Sequence, residues 1–162
     1  MAALLSSWLL PACFLLGFIL TFRPGSQPWR AARGAAVLGL ASTLITLALA
    51  VTSALYANAE PDTLGLTMTA LISLLSWVII NYSFRYLQGE PNQLQFVRAM
   101  LATLTCVGVL IVSHNLLAIV LAWSGTSFGL HYLLTFYRER KAAQIVAHKK
   151  FIASRLADLC LL

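Results

Sequence analysis

Apolar residues run along this chain in long blocks separated by short polar interruptions, without the strict alternation of a half-buried strand. Five blocks, at about 3–22, 34–56, 64–87, 96–113 and 115–137, are each long enough, at about 1.5 Å per helical residue, to cross a hydrocarbon layer about 30 Å thick. The interruptions carry helix-breaking and polar residues: Arg23, Pro24, Gly25 and Pro28, then Asn58, Glu60, Pro61 and Asp62, then Gly89, Glu90, Pro91 and Asn92. The fourth and fifth blocks meet at Ser113, His114 and Asn115 with almost no loop. The pattern predicts an all-α, polytopic transmembrane helical bundle forming a single domain over 1–162. It further predicts a basic loop from Arg138 to Lys150 and a partial sixth helix over 151–162, which stops about one-third of the way across a bilayer. Backbone groups cannot be left unsatisfied in lipid, so that last segment is expected to lie in the interface, to pack on a partner, or to continue in a longer protein. The first block lacks a positively charged leading region and is longer than the apolar core of a secretory signal, so it reads as a span.

Composition strengthens this picture. Of 162 residues, 60% are hydrophobic and 10% charged, too few polar groups to cover the exterior of a soluble domain. The net charge of +6 does not indicate nucleic acid, because the basic residues fall in alternate connections. Arg23, Arg30 and Arg33 follow the first span, Arg85 and Arg98 flank the third connection, and Arg138, Arg140, Lys141, Lys149 and Lys150 follow the fifth. The second and fourth connections carry none, so the positive-inside rule places the N-terminus outside and the Arg138–Lys150 segment inside. Trp8 and Trp29 fall where interfacial anchors belong. Cys13, Cys106 and Cys160 lie in apolar stretches with no metal-knuckle or disulfide spacing, and are expected to serve packing. No nucleotide-binding glycine pattern, zinc spacing or nucleophile elbow occurs, so no cofactor, metal or catalytic residue is expected.

Polar side chains inside a span are costly, and the fifth block holds Ser124, Thr126, Ser127, His131 and Thr135. Ser124, Ser127, His131 and Thr135 recur every three or four residues and share one helical face, which should point at protein or water. His131 is the ionisable group placed well within a span, and imidazole exchanges protons near neutral pH, so it is either a proton relay or a structural hydrogen-bonding group. Gly125 and Gly129 form a G-x-x-x-G step suited to close helix packing. Arg155 and Asp158, at i and i+3, form either an ion pair on one face of the last helix or an exposed interfacial pair. Ser124, Ser127, His131, Arg155 and Asp158 are therefore the candidate ion path. The basic cluster is a topology signal and a docking loop attractive to anionic lipid.

Several phrases in order resemble a known family: Asp62 to Leu66, Tyr82-Ser83 with Tyr86, Gly89-Glu90, Asn115-Leu116-Leu117 leading to Trp123, Gly125, Tyr132-Leu133-Leu134 with Phe136-Tyr137, and Ser154-Arg155 with Asp158. Over roughly residues 60–162 they resemble the N-terminal part of the antiporter-like membrane subunits, which include subunit 5 (the L chain) of respiratory complex I, the large Mrp antiporter subunits, and DabB of inorganic-carbon pumps. In the complex I and Mrp branches the residue after this tryptophan is a proton-path glutamate, where this chain has Ser124; a histidine often found before Tyr82 is replaced by Ile80 and Asn81; and His131 occupies a usually small position. The chain is on these grounds more similar to DabB. The resemblance implies a bacterial inner-membrane subunit for CO2 or bicarbonate uptake, driven by proton or sodium movement, with a large cytoplasmic, zinc-containing DabA-like partner docking on the inner face. It also implies that Arg155 and Asp158 are functional. Two alternatives stand beside it, a proton-translocating subunit of NADH-quinone oxidoreductase and a structural fragment without transport of its own. Family members carry around a dozen or more helices and a later key lysine, neither found here.

Overall fold

A computed structural model describes residues 8–23, 27–57, 63–89, 92–136 and 141–161. Six helices account for nearly all of them: α1 Leu9–Leu20, α2 Pro28–Ala57, α3 Thr63–Tyr86, α4 Gln93–Val112, α5 Leu116–Leu134 and α6 Lys141–Leu161. Among the described residues no strand occurs. Helices α2, α3, α4 and α5 are each long and apolar enough to cross a membrane. Within the described residues α1 is a shorter apolar helix of 12 residues. Helices α1 to α4 pack as a bundle, α5 lies on α4, and α6 lies on α5. The chain is thus a helical membrane bundle, with leucine, isoleucine and valine side chains exposed along most outer faces.

Helix ends follow local chemistry. Pro28 opens α2 six residues earlier than hydropathy suggested, because proline's fixed φ suits the first helical turn and Arg30 and Arg33 are tolerated in a helix leaving the apolar layer. Gly89 adopts φ +96° after α3, a left-handed conformation that stops the helix and that side-chain-bearing residues rarely adopt. Asn115 caps α5, its side-chain oxygen accepting from the Leu117 N–H at 3.1 Å, which lets α4 and α5 turn back within three residues.

Three expectations change. The Arg138–Lys150 loop is largely helix, since α6 begins at Lys141, and the last helix runs 21 residues rather than the 12 of a truncated segment. No proline or glycine interrupts 141–161, and good helix formers such as Ala142, Ala143 and Gln144 continue the helix through the charged residues. Arg138 and Arg140 lie outside the described residues, as does the side chain of Lys141, while Lys149 and Lys150 are exposed on α6. Trp29 is not a lipid-facing anchor. It is buried, its indole N–H donates to Gln93 Oε1 at 2.7 Å, and Phe84 meets its ring edge-on at 5.5 Å. Cys160 is exposed, so it does not serve packing within this bundle.

The core lies among α1 to α4, where Leu10, Phe14, Ile80, Val97 and Leu101 are each no more than 1% exposed. Arginines cap it at one end: Arg33 stacks over the Phe84 ring at 3.6 Å, and Arg98 stacks over Phe22 at 4.1 Å while donating to the Thr21 carbonyl at 2.9 Å. Phe136, at the end of α5, meets Phe96 at this same end. Arginines of the first and third connections therefore gather where α5 finishes.

Helix α5 approaches α4 through its glycines. A Cβ on Gly125 would come within 2.8 Å of Cys106 Sγ, and one on Gly129 would overlap Thr103 Oγ1 and stand 3.1 Å from Thr103 Cβ. Gly129→Ala is accordingly expected to destabilise the bundle by about 1–3 kcal/mol through overpacking. Gly34→Ala meets nothing within 4 Å and serves as the control, expected to be neutral or mildly stabilising. Thermal unfolding of both variants in detergent micelles checks this difference.

Candidate functional site

Helices α5 and α6 pack antiparallel along a line in which ascending positions of α5 meet descending positions of α6. Ser124 meets Arg155 and Asp158, Ser127 meets Ser154, Phe128 meets Phe151, and His131 meets Phe151 and His148. Each set recurs every three or four residues, so each occupies one face of its helix. The structure thus brings all five candidate path residues, Ser124, Ser127, His131, Arg155 and Asp158, onto one interface.

At its centre Arg155 Nη2 and Asp158 Oδ2 form an ion pair of 2.8 Å. The guanidinium also donates to Ser124 Oγ through Nη1 at 2.5 Å and to the Ser124 carbonyl through Nη2 at 3.4 Å. Ser124 Oγ donates to Asp158 Oδ2 at 3.4 Å, so one hydroxyl bridges cation and anion. Asp158 is 7% exposed, so the carboxylate is sheltered between the helices, while the Arg155 side chain is half-buried. Phe128 and Phe151 stack beside the guanidinium at 4.4 and 5.3 Å and keep its flat face apolar. Ser124 is eight residues from the start of α5 and ten from its end, which sets the pair near the middle of the span. A carboxylate at that depth needs a counter-charge and hydrogen bonds, and both are supplied here.

Polar atoms remain unsatisfied. Asp158 Oδ1, Arg155 Nε and His131 Nδ1 are buried and make no hydrogen bond. Desolvating such groups costs about 1–3 kcal/mol each, so water at any of them, or a bound cation at Asp158 Oδ1, would offset that cost. Between the pair and the end of α5, Ser127 Oγ and Ser154 Oγ lie 2.7 Å apart. Beyond them the His131 and His148 rings meet edge to face, with centroids 5.2 Å apart. His148 is exposed and its Nδ1 contacts the Gln144 carbonyl at 2.7 Å. The polar groups therefore lead from an exposed imidazole at the arginine-rich end to a buried carboxylate at mid-span. Asp158 carries the deepest negative charge of the set. His131, expected well within a span, is half-buried in the last turn of α5, four residues from the Thr135 cap.

Thr126 and Thr135 donate to carbonyls of their own helix, so neither joins this line. Sequence reasoning missed His148, because the stretch before residue 151 reads as loop, and it gave Ser154, a single hydroxyl in the expected partial helix over 151–162, no place in the path without its partner on α5. Once α6 begins at Lys141, the spacing of 148, 151, 154/155 and 158 places them on one face. Among the described residues no group of three or more His, Cys, Asp or Glu could hold a metal ion.

Comparison with known proteins gives this geometry a context. Residues 42–97 match the family model described as NADH-ubiquinone oxidoreductase (complex I), chain 5 N-terminus. The chain is 37% identical over 100 residues to the probable inorganic carbon transporter subunit DabB of Hydrogenovibrio crunogenus, covering 61% of this chain and 19% of that protein. It is 42% identical over 99 residues to the probable inorganic carbon transporter subunit DabB2 of Halothiobacillus neapolitanus, covering 61% and 18%. It is 30% identical over 97 residues to NADH-ubiquinone oxidoreductase chain 5 of Chondrus crispus, covering 60% and 15%. The chain spans about one-fifth of the length of the two DabB relatives. These matches establish its similarity to the N-terminal part of the antiporter-like membrane subunits.

Proposed function

Starting from that similarity, we propose that the chain is the N-terminal membrane portion of an energy-coupled inorganic-carbon uptake subunit of the bacterial inner membrane. Proton or sodium movement along the α5–α6 interface drives capture of CO2 or bicarbonate. The observation that carries the reading is the Arg155–Asp158 pair, with a half-buried guanidinium and a buried carboxylate, held against Ser124. An ion pair at mid-span is expensive as mere scaffolding, since replacing it by packed apolar side chains would often be neutral or stabilising. Its retention beside an imidazole pair fits groups that bind and release a cation. Higher identity to the DabB subunits, 37% and 42% against 30% for complex I chain 5, favours carbon uptake over respiratory proton pumping.

In this reading Asp158 is the binding carboxylate, Arg155 the internal counter-ion that competes with the arriving cation, and Ser124 the hydroxyl that holds either. Ser127 with Ser154, and His131 with His148, supply hydrogen bonds toward the arginine-rich end. The N-terminus is outside and that end faces the cytoplasm, where a large zinc-containing DabA-like subunit docks near the start of α6 and carries the carbon chemistry.

Ser124→Ala, His131→Ala and Asp158→Asn, placed in the complete subunit with its partner, test the proposal by growth in ambient air and bicarbonate uptake. Uptake is expected to fall in all three, most in Asp158→Asn. Full uptake in all three would overturn the path.

A further inference from the structure

A second polar seam lies away from the α5–α6 interface. The buried face of α3 consists of Thr69, Ser73, Ser76, Ile80 and Ser83, spaced four, three, four and three residues apart, so four of its five positions are hydroxyls. On α2, Ser42, Thr43 and Thr46 are also buried, all at most 8% exposed. The two rows meet where Thr43 Oγ1 and Ser73 Oγ lie 3.2 Å apart.

Most of these hydroxyls spend their proton on their own helix. Ser42 donates to the Gly39 carbonyl, Thr43 to Leu40, Thr46 to Ser42, Thr69 to Gly65 and Ser73 to Ala70. A hydroxyl oxygen that donates in this way keeps lone pairs that can still accept. Ser76 is the exception: it is 0% exposed, and its Oγ makes no hydrogen bond, although a serine in a helix has a carbonyl within reach one turn back. In a dry, packed interface that hydroxyl would turn to its own backbone. Left as it is, it needs a partner that donates and accepts and that fits beside small side chains, and water does both.

We propose that the α2–α3 seam is a water-holding path, running from the end of the bundle where α3 begins, past Thr69 and Ser73, to Ser76 near mid-span. Thr69 to Ser76 is seven residues, about 10 Å of helix rise. Ile80, 0% exposed on the same face, ends the path with an apolar side chain before Ser83. The described buried residues of α2 and α3 include no charged side chain, so the seam suits water and not a desolvated ion, in contrast to the charged α5–α6 line.

Thiol reactivity in open membrane sheets tests it, because only a thiolate in contact with water captures hydrated Ag+ quickly. With Cys13, Cys106 and Cys160 replaced by alanine, Ser76→Cys and Ser73→Cys are compared with Leu75→Cys and Val78→Cys, whose parent side chains are 46% and 45% exposed on the outer faces. Serine to cysteine is nearly isosteric, and protection from later maleimide labelling of the unfolded protein reports the Ag+ rate. Ser76→Cys and Ser73→Cys are expected to react at least about tenfold faster than the two lipid-facing controls, following their larger thiolate fraction in water. Reaction no faster than at Leu75→Cys would overturn the proposal and leave the hydroxyls as dry packing contacts.

Discussion

Asp158→Asn is expected to lower ion-driven uptake by about tenfold or more, the scale on which one positioned proton-transferring group contributes, with the subunit still present in the membrane. Asparagine keeps the shape of the side chain and still accepts from Arg155 and Ser124, so the α5–α6 packing survives. It cannot ionise, so the site loses its only described negative charge among the residues facing Ser124. Asp158→Glu keeps the charge and lengthens the reach, and should recover part of the uptake. Recovery by glutamate but not asparagine separates a charge requirement from a packing requirement. The measurement is initial-rate bicarbonate uptake normalised to subunit abundance. Equal uptake in wild type and Asp158→Asn would remove Asp158 from the path.

Arg155→Leu carries the largest expected cost in stability. It strips the counter-ion from a carboxylate that is 7% exposed; breaking a fully buried pair costs about 3–5 kcal/mol, an upper bound here because the Arg155 side chain is 27% exposed. Arg155→Leu with Asp158→Leu removes both charges and should recover most of that loss, because leucines refill an interface already lined by Phe128 and Phe151. Unfolding in detergent micelles should rank wild type and the double variant close together and Arg155→Leu far below both. A loss under about 1 kcal/mol for Arg155→Leu would instead describe a solvent-screened surface pair.

Much of this architecture is legible in the sequence, because a bilayer leaves few ways to satisfy a backbone. Uninterrupted apolar blocks mark the spans, and Gly89 and Asn115 mark turns that the structure places there. The polar face of α5 is legible too, since Ser124, Ser127 and His131 repeat at helical spacing. Helix α6 is harder to read. Lys149 and Lys150 read as a loop, yet charge does not forbid helix, so His148 falls in a stretch that hydropathy assigns to loop, and Ser154, inside the expected partial helix, reveals its role only when Ser127 is seen opposite it. Trp29 misleads for a similar reason: a tryptophan at a span boundary suits the lipid interface, and only the distant Gln93 reveals that its N–H is satisfied inside the bundle. The α2–α3 hydroxyls escape notice because serine and threonine barely disturb an apolar run, and their shared face emerges only when both helices are seen together.

The serine–histidine face of α5 packs against the Arg155–Asp158 face of α6 rather than facing acyl chains. Ser127 Oγ and Ser154 Oγ are 2.7 Å apart, so cysteines at both positions stand within disulfide reach. The most direct measurement is oxidation of the Ser127→Cys, Ser154→Cys double variant in native membranes, with the other cysteines removed and a protease site inserted between α5 and α6. The two fragments are expected to stay joined after cleavage until reductant is added, and the Trp123→Cys, Ser154→Cys pair is expected not to join. Separation of the 127/154 fragments, or equal joining of the 123/154 pair, would contradict it.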